Sequence, residues 1–518
     1  MPDTETDGQV NFLGGMVTSR ADILLSAERG ESQLLTNVSL SSKIGAVEQV
    51  KGSQYYNHIQ GPNSRAQDSD QLIVDSLFRF YKSDGTGQTI AGWTDGATFG
   101  LSYFDDSSET LITSSLAATI TDYAVYQDVL YMVNGTGTLY IWDGSALTTA
   151  TFPTLGSAPF APTIIEMQKG RAYYAGDSDL SSTIIYSLPT TPNTFLSPFT
   201  DFATVSDDDG DRLTSLKQFG PNLIAFKERK TYIIEGSPPQ RISPLNLVGV
   251  GCVDQKTVQK TTFGLIFLGQ RGLYLMETVS SVRSISENIR TDLQQITSGV
   301  SPQFSSVFHK NIYYLFYKPT TTTTIQHGYS FDLNALLAGS QTPSIAQLRD
   351  FQVEDSAVFD GAIDEEEWLG ARSGSNTIMQ MLKQNAAYYA SVSASSADMI
   401  SKIRTRWFDA GSASREKELY WLYLYFHRPT LQMDVKLWIE HLNQRRTVDV
   451  SATEDTTVWG TGVWGTSTWG GNHIFSHQIR VPQGLRYNRI SAEITVSGLK
   501  DQLTLDGLEW HYLVLPEV

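Results

Sequence analysis

Among 518 residues there is a single cysteine, Cys252. A lone thiol excludes an intramolecular disulfide framework and fits assembly in a reducing compartment. Set in Val250-Gly251-Cys252-Val253, it reads as a small buried hydrophobe rather than a reactive thiolate. Histidine is scarce, eight in all, with no ligand spacing. Basic residues number 38 against 55 acidic ones, a net charge of -17. That deficit argues against a general nucleic-acid-binding face, because neutralising phosphates takes clustered Lys and Arg. No apolar run is long enough to cross a bilayer, and Met1-Pro2-Asp3-Thr4-Glu5 lacks the basic and apolar regions of a signal peptide. The expectation is a chain with no membrane segment.

Motifs that carry chemistry are also missing. There is no Walker phosphate loop, no His-Glu-x-x-His zinc helix and no Gly-x-Ser-x-Gly elbow. The densest carboxylate cluster, Asp207-Asp208-Asp209-Gly210-Asp211, fails as an EF-hand: Arg212 stands where that loop needs Gly, and Gln218 occupies its twelfth position. Ser206 to Gly210 partly matches the Asp-box of sialidase-type propellers, but Leu213 replaces the Trp and the motif occurs once. Glu365-Glu366-Glu367 offers paired carboxylates of the kind glycosidases use, yet adjacent acids before Trp368 also make a solvated turn. The reading is therefore no enzyme, no cofactor and no metal, with a carbohydrate-binding or glycoside-cleaving propeller as the alternative and a peptide-binding scaffold as a third.

What the chain does have is short apolar runs cut by turns, with 41 Gly to supply them. From Asp207 to Glu277 one pattern occurs twice. Leu213-Thr214-Ser215-Leu216 leads to Leu223-Ile224-Ala225-Phe226 and Thr231-Tyr232-Ile233-Ile234; then Leu265-Ile266-Phe267-Leu268 turns at Gln270-Arg271-Gly272 into Leu273-Tyr274-Leu275-Met276. Runs this short are antiparallel strands, since a buried helix needs a longer apolar run at helical period. Aligning what reads as the last strand of each unit on Tyr140, Ile185, Tyr232, Tyr274, Tyr329 and Gln380 gives spacings of 45, 47, 42, 55 and 51 residues. Four-stranded blades of about 40 to 50 residues are what propellers use.

The spacing predicts an all-β chain: an N-terminal arm over 1–57, a β-propeller over 58–392 with about seven blades in a range of six to eight, and a C-terminal β-sandwich over 393–518. The arm is placed to supply a strand to the far end of the propeller, since ring closure removes an open edge. The first blade is read with Leu72-Ile73-Val74 and Leu77 to Tyr81 as separate strands, and its Phe80 lies 60 residues before Tyr140, which implies a longer blade or an insertion. Inside the C-terminal region, Trp459, Trp464 and Trp469 recur every five residues between Gly residues. That period suits neither a strand face nor a helix face, so the segment reads as a loop whose indoles dock on their own sheet or a neighbouring subunit, or form an aromatic platform for a ligand.

Gly210 to Leu216, Leu223 to Lys227, Tyr232 to Gly236, Val248-Gly249-Val250-Gly251-Cys252-Val253 and Ile285 to Ile289 resemble the propeller core of bacteriophage tail nozzle, or packaged-DNA stabilisation, proteins. The Gly14-Gly15 arm and the Trp-Gly repeats are similar to that group as well. Asp254-Gln255-Lys256 departs from it, standing where a more apolar or Ser/Pro-rich step is expected. The resemblance implies a virion protein assembled in the host cytoplasm, commonly as a homohexameric ring below the portal and adaptor, through which the genome leaves. Trp459, Trp464 and Trp469 are then candidate subunit contacts. Asp105, Asp106, Asp207, Asp208, Asp209, Asp211, Asp364, Glu365, Glu366 and Glu367 are candidate acidic loops of the channel, where a repelling wall would let genomic DNA slide without tight binding.

Overall fold

The computed structural model describes residues 5–518 except 10, 22–23, 26–28, 41–45, 60–71, 105–107, 197–198, 246–248, 300–302, 320–324, 326, 338, 350, 361–365, 384–399, 428–432, 442–443, 453–474, 498–503 and 516–518. A recurring hairpin shows why the chain repeats. Asp122–Tyr126 turns into Val129–Val133 through Gln127 and Asp128, both at positive φ (47° and 61°). The same two-residue left-handed turn recurs at Lys169-Gly170 and at Lys310-Asn311. Its backbone twist matches that of the strands it joins, so each hairpin closes without splaying.

Each hairpin extends into a small antiparallel sheet. Sheet I is Ile73–Tyr81, Gly87–Thr94, Phe99–Phe104 and Glu109–Leu116. Sheet II is Asp122–Tyr126, Val129–Val133, Thr138–Trp142 and Leu147–Thr151. Sheet III is Ile164–Gln168, Arg171–Ala175, Thr183–Tyr186 and Phe202–Thr204. Sheet IV is Leu213–Phe219, Asn222–Lys227, Thr231–Glu235 and Arg241–Pro244, and sheet V is Gln259–Thr261, Gly264–Gly269, Gly272–Thr278 and Ser281–Ser284. Phe304–His309, Ile312–Tyr317, His327–Asp332 and Ser344–Arg349 form sheet VI, the start of a ten-stranded sheet. Val353–Asp360, Glu366–Arg372 and Thr377–Lys383 make sheet VII, completed by Gly52–His58 from the arm. The expected closing strand is therefore present.

Two readings from the sequence change. Ile73–Tyr81 is one strand with an irregularity between Val74 and Ser76, not two strands across a turn. The aligned residues Tyr140 to Gln380 all lie on third strands, and each unit has a further outer strand. Phe80 is on a first strand, so its 60-residue offset compares unlike positions and implies no insertion.

Burial explains how the sheets stack. Phe80, Ile90 and Leu101 of sheet I pack on Leu130, Met132 and Trp142 of sheet II. Tyr131 and Leu139 pack on Tyr174 and Ile185, Ile184 packs with Leu216 and Leu223, and Phe226 packs with Phe267. Phe316 and Leu348 meet Trp368 and Met381, and Leu369 and Ile378 of sheet VII return to Val74 and Trp93 of sheet I. Among the described residues strand accounts for 60% and helix for 5%, so the fold is all-β and propeller-like. The first strands face one another at the middle of this arrangement.

The C-terminal strands are not walled off from these sheets. Glu31–Thr36 pairs in parallel with Ser344–Arg349 and antiparallel with Ile400–Thr405, which continues through Arg489–Ser497 and Met433–His441 to Gln444–Ala452. A second sheet holds Lys417–His427, Phe475–Tyr487 and Thr504–Val514, with Glu5–Gln9 and Val47–Gln49 on the last of these. Leu437, Ile490 and Ile494 of one layer share a core with Leu422, Leu508 and Trp510 of the other, and the same core reaches Leu273 and Phe331 of sheets V and VI. The boundary expected at 393 lies outside the described residues. Among the described residues no helix is long and apolar enough to cross a membrane.

Candidate functional site at the convergence of the first strands

The acidic loop expected as a channel candidate splits its carboxylates between solvent and the interior. Ser206 adopts φ 48°, Asp207–Asp209 forms one short helical turn, and Gly210 at φ 63° sends the chain into sheet IV. Asp207 is exposed and the side chain of Asp208 lies outside the described residues. Asp209, however, is 5% exposed and paired with the fully buried Lys227 at 2.7 Å. Tyr232 donates to it at 2.9 Å, Lys230 at 3.4 Å and the Asp211 backbone N–H at 3.2 Å. Lys227 donates further to Ser182 Oγ at 3.0 Å and to the Ser206 carbonyl at 2.6 Å, so its three protons are all used. Burial opposes the charge on Asp209, but the Lys227 ammonium and the Tyr232 hydroxyl outweigh it and hold the carboxyl at about 2. Asp211 is buried and accepts from the backbone N–H of Glu228 at 3.2 Å and Arg229 at 2.9 Å. Asp209 and Asp211 thus fasten the loop to the Asn222–Lys227 strand and to the Glu228-Arg229 turn that follows it.

The other candidates divide. Glu367 accepts from Gln380 Nε2 at 2.5 Å across sheet VII, so it is spent on strand pairing. Only the backbone of Glu366 is described, at the start of its strand. Asp105, Asp106, Asp364 and Glu365, with Trp459, Trp464 and Trp469, lie outside the described residues. Cys252 is buried, donates to the Asp254 carbonyl at 3.1 Å, and its thiol is pushed up to about 12 by burial, which leaves it inert as a nucleophile.

Instead, the fold assembles a charged centre from the first strands and the short turn Gln255–Thr257. Sheet I gives Asp75, sheet II Asp122, sheet III Glu166, sheet IV Lys217, the turn Asp254 and Lys256, and sheet VII Glu354 and Asp355. Lys217 reaches Glu166 at 3.3 Å, and the Ile165 N–H donates to Asp122 at 2.8 Å. Lys256 donates to the Asp75 carbonyl at 3.1 Å and stands 3.9 Å from Asp355, which accepts from the Leu77 N–H at 3.0 Å. The Ser76 and Tyr123 hydroxyls lie 2.5 Å apart, joining sheets I and II. The ion-paired side chains here keep between 18% and 32% of their surface, so they are half-buried.

Carboxylates outnumber ammonium groups in it. Burial first, then Glu354 and Asp355, push Asp75 up to about 6 against the pull of Lys256. Burial likewise raises Asp122 to about 6, opposed by Lys217 and the Ile165 N–H. For Lys256 burial works downward, but Asp355 and Glu354 prevail and raise it. One oxygen of Asp75 is buried and has no hydrogen-bond partner among the described residues. A set like this can hold protons near neutrality. Among the described residues no group of three or more His, Cys, Asp or Glu side chains is disposed to hold a metal ion.

No protein family and no curated protein matches the chain. Solved structures with a measurable likeness include the computationally designed Ika8 protein, at 10% identity and a TM-score of 0.38 over 72% of this chain and 99% of that one. Another is BBS1N in complex with ARL6DN, at 11% identity and a TM-score of 0.40 over 64% of this chain and 98% of that one. At these scores the likeness carries no argument about function.

Proposed function

We propose that this chain is a structural virion protein of the tail-nozzle kind. Copies form a ring, of six in the resemblance that suggests it, below the portal and adaptor; the ring retains the packaged genome and lets it out during infection. Within a copy, sheets I to VII read as seven blades, and the two C-terminal layers read as a β-sandwich. The observation that carries the proposal is the stitching of the early strands into the later sheets. Gly52–His58 closes sheet VII, Glu31–Thr36 bridges sheet VI to the C-terminal layers, and Glu5–Gln9 pairs with the last strand. A body tied this way cannot open between its early and late strands without breaking ladders, which suits a part that contains packaged DNA.

The path for DNA in this proposal runs between copies. The centre of one copy is crossed by side chains, as Lys256 of the Gln255–Thr257 turn reaching the Asp75 carbonyl of sheet I illustrates, so it offers no duplex-sized bore. The surplus of acidic residues then favours a wall that repels phosphate. Electron microscopy of the purified protein tests the proposal: rings with an axial opening are expected, and a monomer at every concentration overturns it.

One observation favours a second reading, glycoside cleavage at the centre. Asp75, raised to about 6, stands among Glu354 and Asp355, and an acid near neutrality beside other carboxylates is what such hydrolysis uses. Against it, one Asp75 oxygen is buried, and Lys256 occupies the space between Asp75 and Asp355. Turnover of soluble glycans that disappears in Asp75→Asn would establish this reading in place of the first.

A further inference from the structure

Between sheets IV and V, under the helix Arg290–Thr297, lies a cleft of about 700 Å³ whose lining includes Arg212, Glu228, Gln270, Arg271, Gln294 and Ser298. Its floor is built to stay in place. The Cys252 N–H donates to the Lys227 carbonyl and the Val253 N–H to the Leu268 carbonyl, each at 2.9 Å, pinning one sheet to the next. Gly251 permits this, because a Cβ there would meet the Lys227 carbonyl oxygen at 2.3 Å and the Arg229 nitrogen at 2.6 Å. Thr297 donates to the Gln270 carbonyl at 3.0 Å and fixes the helix to the turn that carries Arg271.

The cationic groups in the cleft are underused. Arg212 is 68% exposed and, among the described residues, spends only its Nε on Glu228, at 2.8 Å. Arg271 is exposed and crosses Gly249, where an added Cβ would lie 3.7 Å from its Cζ. Among the described residues it has no hydrogen bond and no ion pair. In a chain with 55 carboxylates and 38 basic side chains, an exposed guanidinium is a donor open to a carboxylate from another molecule. Two guanidinium forks flanked by amides and hydroxyls are donors for carboxylate oxygens, and the volume falls in the range of about 300–1,000 Å³ typical of binding pockets.

We infer that this cleft receives an acidic segment of a second copy of the chain. Charge complementarity selects that occupant: every copy carries a surplus of carboxylates, and self-repulsion between copies at -17 each needs a local cationic contact to offset it. The inference rests on the ring reading, and its test separates the two. Sedimentation of the full chain is compared for the parent, Arg271→Gln and the double variant Arg212→Glu/Arg271→Glu, at low and high salt, with thermal melting as the control for folding. The parent assembles, less tightly at high salt. The double variant, with an unchanged melt, needs about tenfold or more protein to assemble, and Arg271→Gln falls between. A folded double variant that assembles like the parent overturns the inference and leaves the ring standing; a parent that never assembles overturns the ring reading and, with it, a second copy as the occupant.

Discussion

The Asp209 pocket and the charged centre both set carboxylates beside lysine inside the fold, yet they move in opposite directions. Asp209 receives four donors, from Lys227, Lys230, Tyr232 and the Asp211 N–H, and sits at about 2. Asp75 and Asp122 sit at about 6. Lys256 faces Asp355, Glu354, Asp254 and Asp75 together and donates to a carbonyl rather than to the Asp75 carboxylate. Burial alone raises every buried acid; the number of donors aimed at each oxygen decides whether the charge is kept. The pocket is therefore a fastener that is fully satisfied, and the centre is a shared, proton-holding cluster.

The largest expected effect comes from removing the donor that serves the pocket. Lys227→Met should cost about 3–5 kcal/mol in urea unfolding, because it removes the buried counter-ion of Asp209 and leaves Lys230, at 3.4 Å, as its nearest cation. A loss below about 1 kcal/mol would show that Asp209 finds water instead, and the contrast with the centre would collapse.

Asp209→Asn is milder, at about 1–3 kcal/mol, since the amide still accepts from Tyr232. Its pH signature is sharper than its size. A carboxyl lowered in the fold adds stability above its ordinary range, near 4, and that stability is lost as pH falls towards about 2. Acid titration of unfolding should show this loss in the parent and lack it in the variant.

The centre should behave with the reverse sign. Asp75 and Asp122 are raised in the fold, so the folded state binds more protons between about pH 4 and 6. Stability should rise as pH falls through about 6 and decline as pH climbs back. The double variant Asp75→Asn/Asp122→Asn should flatten that slope, with a change on the order of 1 kcal/mol per site at neutrality. A slope that persists would place the titrating groups elsewhere.

Tyr123→Phe should have the smallest effect, about 0.5–1.5 kcal/mol, by removing the hydroxyl contact with Ser76. A neutral result would mean that packing of the first strands, rather than their polar contacts, holds sheets I and II together.

The repeated sheets were legible because their signal is local. Leu223 to Phe226 and Leu265 to Leu268 are apolar runs bounded by turns, and Tyr140 to Gln380 recur at a steady spacing that the structure places on equivalent third strands. The closing strand from the arm was legible as well, because an open sheet edge needs a partner. The charged centre was not. Asp75, Asp122, Glu166 and Lys217 stand singly, far apart in the chain and from the Glu354-Asp355 pair. A signal existed all the same: a charged residue recurs inside or beside first strands that otherwise carry apolar residues, as in Ile164-Ile165-Glu166 and Leu216-Lys217.

The amino-acid sequence by itself determined the class of structure: strand-length apolar runs, turn residues and a period of 40 to 55 residues permit little besides repeated small sheets. It also set the surplus of acid. Only the tertiary structure decided which acids carry that surplus to solvent and which are consumed inside. Asp207 and Asp209 are two residues apart and identical in chemistry, yet one is exposed and the other is clasped by Lys227 from a different strand. Position along the chain cannot distinguish them, because the state of a carboxylate depends on the donors and the dielectric within a few ångströms, and those arrive from distant residues only when the chain folds.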